Sequence, residues 1–162
     1  MSDSSNKLPA ALREAQRQTL AVRAGQNRTG EDEHSEAFFL TSSYVFKDCA
    51  DAQARFAGDI EGSVYSRYTN PTVRNFEQRL AAMEGAEDCI ATSSGMGAIM
   101  SLCLAHLSSG DHIVCSSDVV GSTVILLNNF FAKFGVEISY IKLTDVDGWR
   151  DAMQPNTKLL FL

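Results

Sequence analysis

Apolar residues are scattered over the first 70 positions and fall into regular patterns beyond them. Leu12, Ala15, Ala21 and Val22 group loosely, which predicts a short helix within residues 9–24. Residues 25–37 are rich in Gly, Asn, Thr, Glu and Asp and read as a loop. Phe38-Phe39-Leu40 and Tyr44-Val45-Phe46 are short apolar pieces, and residues 50–57 read as a second short helix. From residue 70 the signals sharpen. Asn70 is a helix N-cap and Pro71 the first helical position. Val73, Phe76, Leu80 and Met83 recur at helical spacing, and Gly85 ends the run. Residues 89–92 predict a short buried strand, 93–97 a turn, and 98–107 an apolar helix. A strand at 112–115, a helix at 121–134 stopped by Gly135 and a strand at 136–143 follow. Residues 147–153 form a short helix broken at Pro155-Asn156, and 159–162 a last strand. This alternation predicts an α/β fold with a mainly parallel sheet and flanking helices.

Composition narrows the class. The chain has 162 residues, 44% hydrophobic and 21% charged, the profile of a folded domain and not of a disordered one. Its net charge of −6 argues against a nucleic-acid partner, since phosphate backbones attract basic surfaces. No apolar stretch is long enough to span a membrane, and the start at Met1 lacks the apolar core of a signal peptide. Cys49, Cys89, Cys103 and Cys115 show no metal or redox spacing and read as free, buried thiols of a cytoplasmic protein. His34, His106 and His112 are scattered and read as structural, so no metal site is expected. Arg23 and Glu36 read as interface charges, and the sequon at Asn27 carries no meaning without secretion.

Two stretches could carry chemistry. Thr92-Ser93-Ser94-Gly95-Met96-Gly97-Ala98 joins a predicted strand to a helix start with small and hydroxylated residues. Free N–H groups and the helix dipole at such a start can bind a phosphate. The run lacks the Walker lysine, the third glycine of the dinucleotide fingerprint and the Gly-x-Ser-x-Gly pattern. An ordinary strand-to-helix turn accounts for it equally well. In Tyr65-Ser66-Arg67-Tyr68-Thr69-Asn70-Pro71-Thr72 an arginine stands between tyrosines. A guanidinium fork grips phosphate, and a tyrosine beside a cation can move protons; a loop capping the next helix is the alternative.

Together these stretches resemble the Cys/Met-metabolism family of pyridoxal-phosphate enzymes. Leu20-Ala21-Val22-Arg23-Ala24-Gly25-Gln26, His34-Ser35-Glu36, residues 41–46, residues 54–58 and Gly121-Ser122-Thr123 add to the likeness, which runs from about Thr19 to the last residue. The resemblance implies the first part of a fold-type I transferase large domain at residues 71–162, preceded by an arm at 1–70 that contacts the neighbouring subunit. It implies pyridoxal 5'-phosphate as cofactor, with Gly95 and Met96 giving N–H groups to its phosphate. Arg67 would bind the phosphate and Tyr65 assist proton transfer in the neighbouring subunit's site. A homodimer or homotetramer acting on a small amino-acid substrate follows.

The likeness is nearest to the sulfhydrylase branch, which implies homocysteine made from O-succinylhomoserine and sulfide for methionine synthesis. Cystathionine γ-synthase or γ-lyase activity is the alternative within the family. Two departures stand out. The family's ring-stacking aromatic is matched by Val120, and no lysine matches the family's Schiff-base Ser-x-Thr-Lys segment. Thr157-Lys158 precedes a strand and reads as a decoy. The expectation is therefore a truncated chain, catalytically silent alone, that could act as an interaction fragment.

Overall fold

A computed structural model describes residues 8–162. The described residues form two compact units, divided between Ala91 and Thr92.

In the first unit a single 3-10 turn at Ala10–Leu12 precedes α1 (Arg17–Arg23). The long loop behind α1 leads to α2 (Cys49–Ala57) and α3 (Pro71–Glu84). Local chemistry sets the helix ends. Asp48 caps α2 through the Asp51 N–H, and Gly58 and Gly85 close α2 and α3 in the left-handed conformation. Helix α1 lies on α3. Arg79 of α3 donates from Nε to the Ala24 carbonyl at 2.9 Å and pairs with Glu36. Gly25, at φ +73°, passes so close to α3 that a Cβ there would sit 2.6 Å from the Asn75 carbonyl oxygen. Glu36, expected to be an interface charge, is thus engaged inside the unit, and the Arg79 hydrogen bond holds its carboxyl below the ordinary range. Arg23 donates to Gln26 Oε1 at 3.4 Å.

The apolar stripe expected on α3 is covered only in part, with Leu80 and Met83 half-buried. Ala81 is the buried residue of this helix, whereas Val73 and Phe76 are exposed. The strand expected at 89–92 does not form either. No strand among the described residues pairs with it, and a strand is only as stable as its ladder. Its N–H groups turn to carboxylates instead: Ala91 donates to Glu77 at 2.8 Å and Cys89 to Asp88 at 2.8 Å. Arg74 ties Glu77 and Asp88 together.

The second unit holds α4 (Gly95–His106), β1 (His112–Ser116), α5 (Gly121–Asn129), β2 (Glu137–Ile141), α6 (Val146–Asp151) and β3 (Thr157–Phe161). The helix expected at 121–134 divides, because Phe131–Phe134 tightens into a 3-10 turn before Gly135 closes it. Helix α4 starts three residues earlier than expected, since Ser94 acts as its cap. The strands are parallel in the order β2-β1-β3, with β1 wholly buried between its neighbours. Ile113 and Cys115 of β1 meet Cys103 and Leu107 of α4 and Leu127 of α5 in the core. Leu102 and Leu104 are exposed, because α4 is apolar on every side and β1 covers one.

On the opposite face of β1, His112 is fully buried. Its Nδ1 lies 2.8 Å from Thr157 Oγ1 of β3 and its Nε2 3.0 Å from Ser139 Oγ of β2. One imidazole thus joins three strands, the structural role expected of it. Of the four cysteines, Cys103 and Cys115 are buried, Cys89 is half-buried and Cys49 is exposed, a correction to the expectation of four buried thiols. Burial, and secondarily Cys103, pushes the Cys115 thiol from 9.0 up to about 11. A thiol that keeps its proton longer when folded makes the folded state the better proton binder in this window. Stability is therefore complete below pH 9 and falls as pH rises through about 11. The expected loss is roughly 2–3 kcal/mol. Urea unfolding at pH 8 and pH 11 measures it, and Cys115→Ala should flatten that part of the dependence.

Candidate functional site

The start of α4 presents backbone donors at an open helix end. Ser94 holds an extended backbone and accepts the Gly97 N–H on its side chain at 3.0 Å, while its carbonyl takes the Ala98 N–H at 3.0 Å. Thr92 Oγ1 steadies the turn by donating to the Ser94 carbonyl at 2.8 Å. The N–H groups of Gly95 and Met96 then remain without a partner among the described residues. Open space lies over Gly95, where a Cβ would meet nothing within 4 Å. Gly97 has a different reason to be small, since a Cβ there would press on the Ser94 cap at 3.2 Å. Neither α4 nor α5 carries an acidic residue in its first turn, so both keep the positive end of their dipoles uncompensated.

The two starts meet. Ser122 Oγ of α5 reaches Met96 Sδ of α4 at 3.3 Å. Val120 is the N-cap residue of α5 and is 72% exposed beside this junction. Asp118 fixes the approach to it, accepting the Leu143 N–H at 3.1 Å. The junction follows the C-terminal end of β1. From β1 the chain moves to β2 on one side and then to β3 on the other, so the winding reverses there. Open parallel sheets place ligands at such a reversal. Lys158 is near the other end of the sheet, where β3 meets the start of β1. That position supports reading Thr157-Lys158 as a decoy.

The motif around Arg67 belongs to the first unit, and its residues divide into builders and presenters. Ser66 donates its N–H to the Ser42 carbonyl at 2.9 Å and its hydroxyl to the Thr41 carbonyl. Tyr65 bridges to Ser43 in antiparallel fashion. Asn70 accepts the Thr72 N–H at 2.9 Å on Oδ1 and donates from Nδ2 to the Phe39 carbonyl and Ser66 Oγ, each at 3.0 Å. Thr72 Oγ1 accepts the Phe39 N–H at 2.9 Å. Tyr65, Arg67 and Tyr68 are left exposed at the tip. The builders Ser66 and Thr72 were missed as contributors; their recurrence inside one polar run was the available signal. Asn70→Ala is expected to cost about 2–3 kcal/mol, since it removes a cap and orphans the Phe39 carbonyl. Asn70→Asp, which keeps the cap alone, should cost less; guanidinium unfolding of both variants checks this.

The residues at the α4–α5 junction fit a phosphate-bearing cofactor: two unpaired donors, no opposing carboxylate and an open approach. No metal-binding group of three or more His, Cys, Asp or Glu occurs among the described residues. No helix among them is long and apolar enough to cross a membrane.

Comparison with known proteins gives a consistent picture. The family model described as "Cys/Met metabolism PLP-dependent enzyme" matches residues 18–162. The chain is 56% identical over 156 residues to an O-succinylhomoserine sulfhydrylase of Pseudomonas aeruginosa, covering 96% of this chain and 39% of that protein. An O-succinylhomoserine sulfhydrylase of Mycobacterium tuberculosis is 38% identical over 160 residues, again covering 39% of its own length. The chain thus spans about two-fifths of the curated relatives it matches. Among solved structures, an O-acetylhomoserine (thiol)-lyase from Campylobacter jejuni superposes with a TM-score of 0.82 at 32% identity. The match covers 90% of this chain and 36% of that one, which carries a pyridoxyl-lysine phosphate.

Proposed function

Because the chain belongs to the Cys/Met-metabolism family of pyridoxal-phosphate-dependent enzymes, we propose that it supplies the phosphate cradle and the subunit-reaching arm of a sulfhydrylase. The whole protein would replace the succinyl group of O-succinylhomoserine with sulfide and release homocysteine. The observation that carries this reading is the 56% identity to a sulfhydrylase across nearly the whole chain. Pyridoxal phosphate, when bound, supplies an electron sink for the carbanion chemistry of the substrate.

The chain's own residues have separate tasks. Gly95 and Met96 hold the phosphate through their N–H groups, helped by the α4 dipole. Arg67 adds a charged donor fork from the neighbouring subunit. Tyr65, beside that cation, holds and returns a proton at its phenol oxygen. Val120 packs on the cofactor ring without the aromatic stacking worth about 0.5–1.5 kcal/mol. A homodimer is the smallest unit that brings Arg67 and Gly95 into one site, and the cytoplasm suits free thiols. By sequence context none of Lys7, Lys47, Lys133, Lys142 and Lys158 matches the family's Schiff-base lysine, so on this reading the 162 residues alone do not turn over.

The test incubates the full-length protein with O-succinylhomoserine and sulfide and assays homocysteine. Product that forms only with cysteine, as cystathionine, makes the enzyme a γ-synthase instead. A specific borohydride-reducible adduct with turnover by the 162-residue chain alone would refute its silence.

A further inference from the structure

We propose that Tyr68 is a positioning residue for Arg67, holding the guanidinium in the pose in which it receives a phosphate. The proposal rests on the reading of Arg67 given above. The guanidinium carbon of Arg67 lies 5.2 Å from the Tyr65 ring centroid and 5.1 Å from that of Tyr68. Both distances are within cation–π range. Its Nη2 also points to Tyr68 Oη at 3.5 Å, a long contact that adds direction more than strength. Arg17, Arg55, Arg74, Arg79 and Arg150 each pair with a carboxylate, and among the described residues Arg67 pairs with none. Its charge is therefore free for an anion, and two phenols alone orient it.

Orientation matters because an arginine side chain loses considerable rotamer entropy when a ligand fixes it. A ring that restrains the guanidinium beforehand lowers that cost. Tyr68 has little else to do. It is 67% exposed, so its ring fills no core. The turn beneath is fixed, with the Tyr68 and Thr69 N–H groups donating to the Tyr65 carbonyl at 2.9 and 3.0 Å. Ring spacing is thus a property of the backbone. The Tyr68 hydroxyl is also the largest influence raising the Arg67 pKa, ahead of the phenol charges.

The experiment strips pyridoxal phosphate from the full-length protein and titrates it back, following cofactor absorbance. Tyr68→Ala, Tyr68→Phe, Arg67→Ala and the double variant are compared, each with a thermal melt. Tyr68→Ala should weaken binding about two- to fivefold with an unchanged melt. Tyr68→Phe, which keeps the ring, should retain most of the affinity. In the Arg67→Ala background Tyr68→Ala should add nothing, because the two residues act as one unit. A Tyr68→Ala effect that persists undiminished without Arg67 shows ordinary structural support and overturns the proposal. No Tyr68→Ala effect beside a clear Arg67→Ala loss also overturns it and leaves the phosphate role intact. No Arg67→Ala loss removes the phosphate role and this proposal with it.

Discussion

Arg67→Ala is expected to weaken pyridoxal-phosphate binding by the full-length protein about ten- to hundredfold. A hydrogen bond to a charged group contributes about 1.5–3 kcal/mol, and the loss of the guanidinium removes at least one. Arg67 is exposed at the tip of a loop whose backbone is held by Ser66, Asn70 and Thr72. Its removal leaves that cage intact, so the melting temperature should stay within a degree or two. Arg67→Lys keeps the charge and loses the planar fork, and should recover only part of the affinity. Equilibrium titration of the stripped protein, with a melt beside it, measures both quantities. A large drop in melting temperature would show that Arg67 supports the loop itself.

Gly95→Pro separates cradle from scaffold at the other end of the proposed site. Gly95 is the first residue of α4, where proline is the residue best tolerated in a helix. Ser94 before it already has the extended backbone, φ −163° and ψ 159°, that proline demands of its predecessor. The Gly95 N–H makes no intrahelical bond, so its loss costs the ligand-free fold nothing. For a bound phosphate the same change deletes a donor and sets a ring where open space lay. Binding should fall by about 1.5–3 kcal/mol while ligand-free stability is unchanged or slightly higher. Ordinary core substitutions do the reverse. A combined loss of helix content and binding would mean that the α4 start is a structural turn alone.

How much of this was written in the sequence depends on how local each feature is. The helix from Pro71 to Glu84 was legible because its cap, first-turn proline and terminal glycine all act within a few residues. The parallel sheet was legible from alternation, and β1 from its apolar run. The strand expected at 89–92 was not correct, because a strand depends on a remote partner; carboxylates of Glu77 and Asp88 took the N–H groups instead. The stripe of Val73 and Phe76 told of apolarity but not of which side α1 would cover. At the site, the helix start at Gly95 was readable from the small residues before it, while its anion role stands as a proposal. The tasks of Tyr65, Arg67 and Val120 came only through family resemblance. The crossing bonds from Ser66 and Thr72 to residues 39–42 were hidden, since nothing local ties those two segments together. The meeting of Ser122 with Met96 was hidden for the same reason, at a sequence separation of 26.

The central claim is that one site draws Gly95 and Met96 from one subunit and Tyr65 and Arg67 from another. Subunit mixing tests it most directly. Full-length Arg67→Ala and Gly95→Pro proteins, each weak alone, are unfolded, combined in equal amounts and refolded. Random pairing makes about half the dimers hybrid, and each hybrid holds one unaltered and one doubly altered site. Homocysteine formation should therefore return to about a quarter of the unaltered protein's rate. A mixture no more active than its two parents would contradict the account and place Arg67 and Gly95 in the same subunit's site.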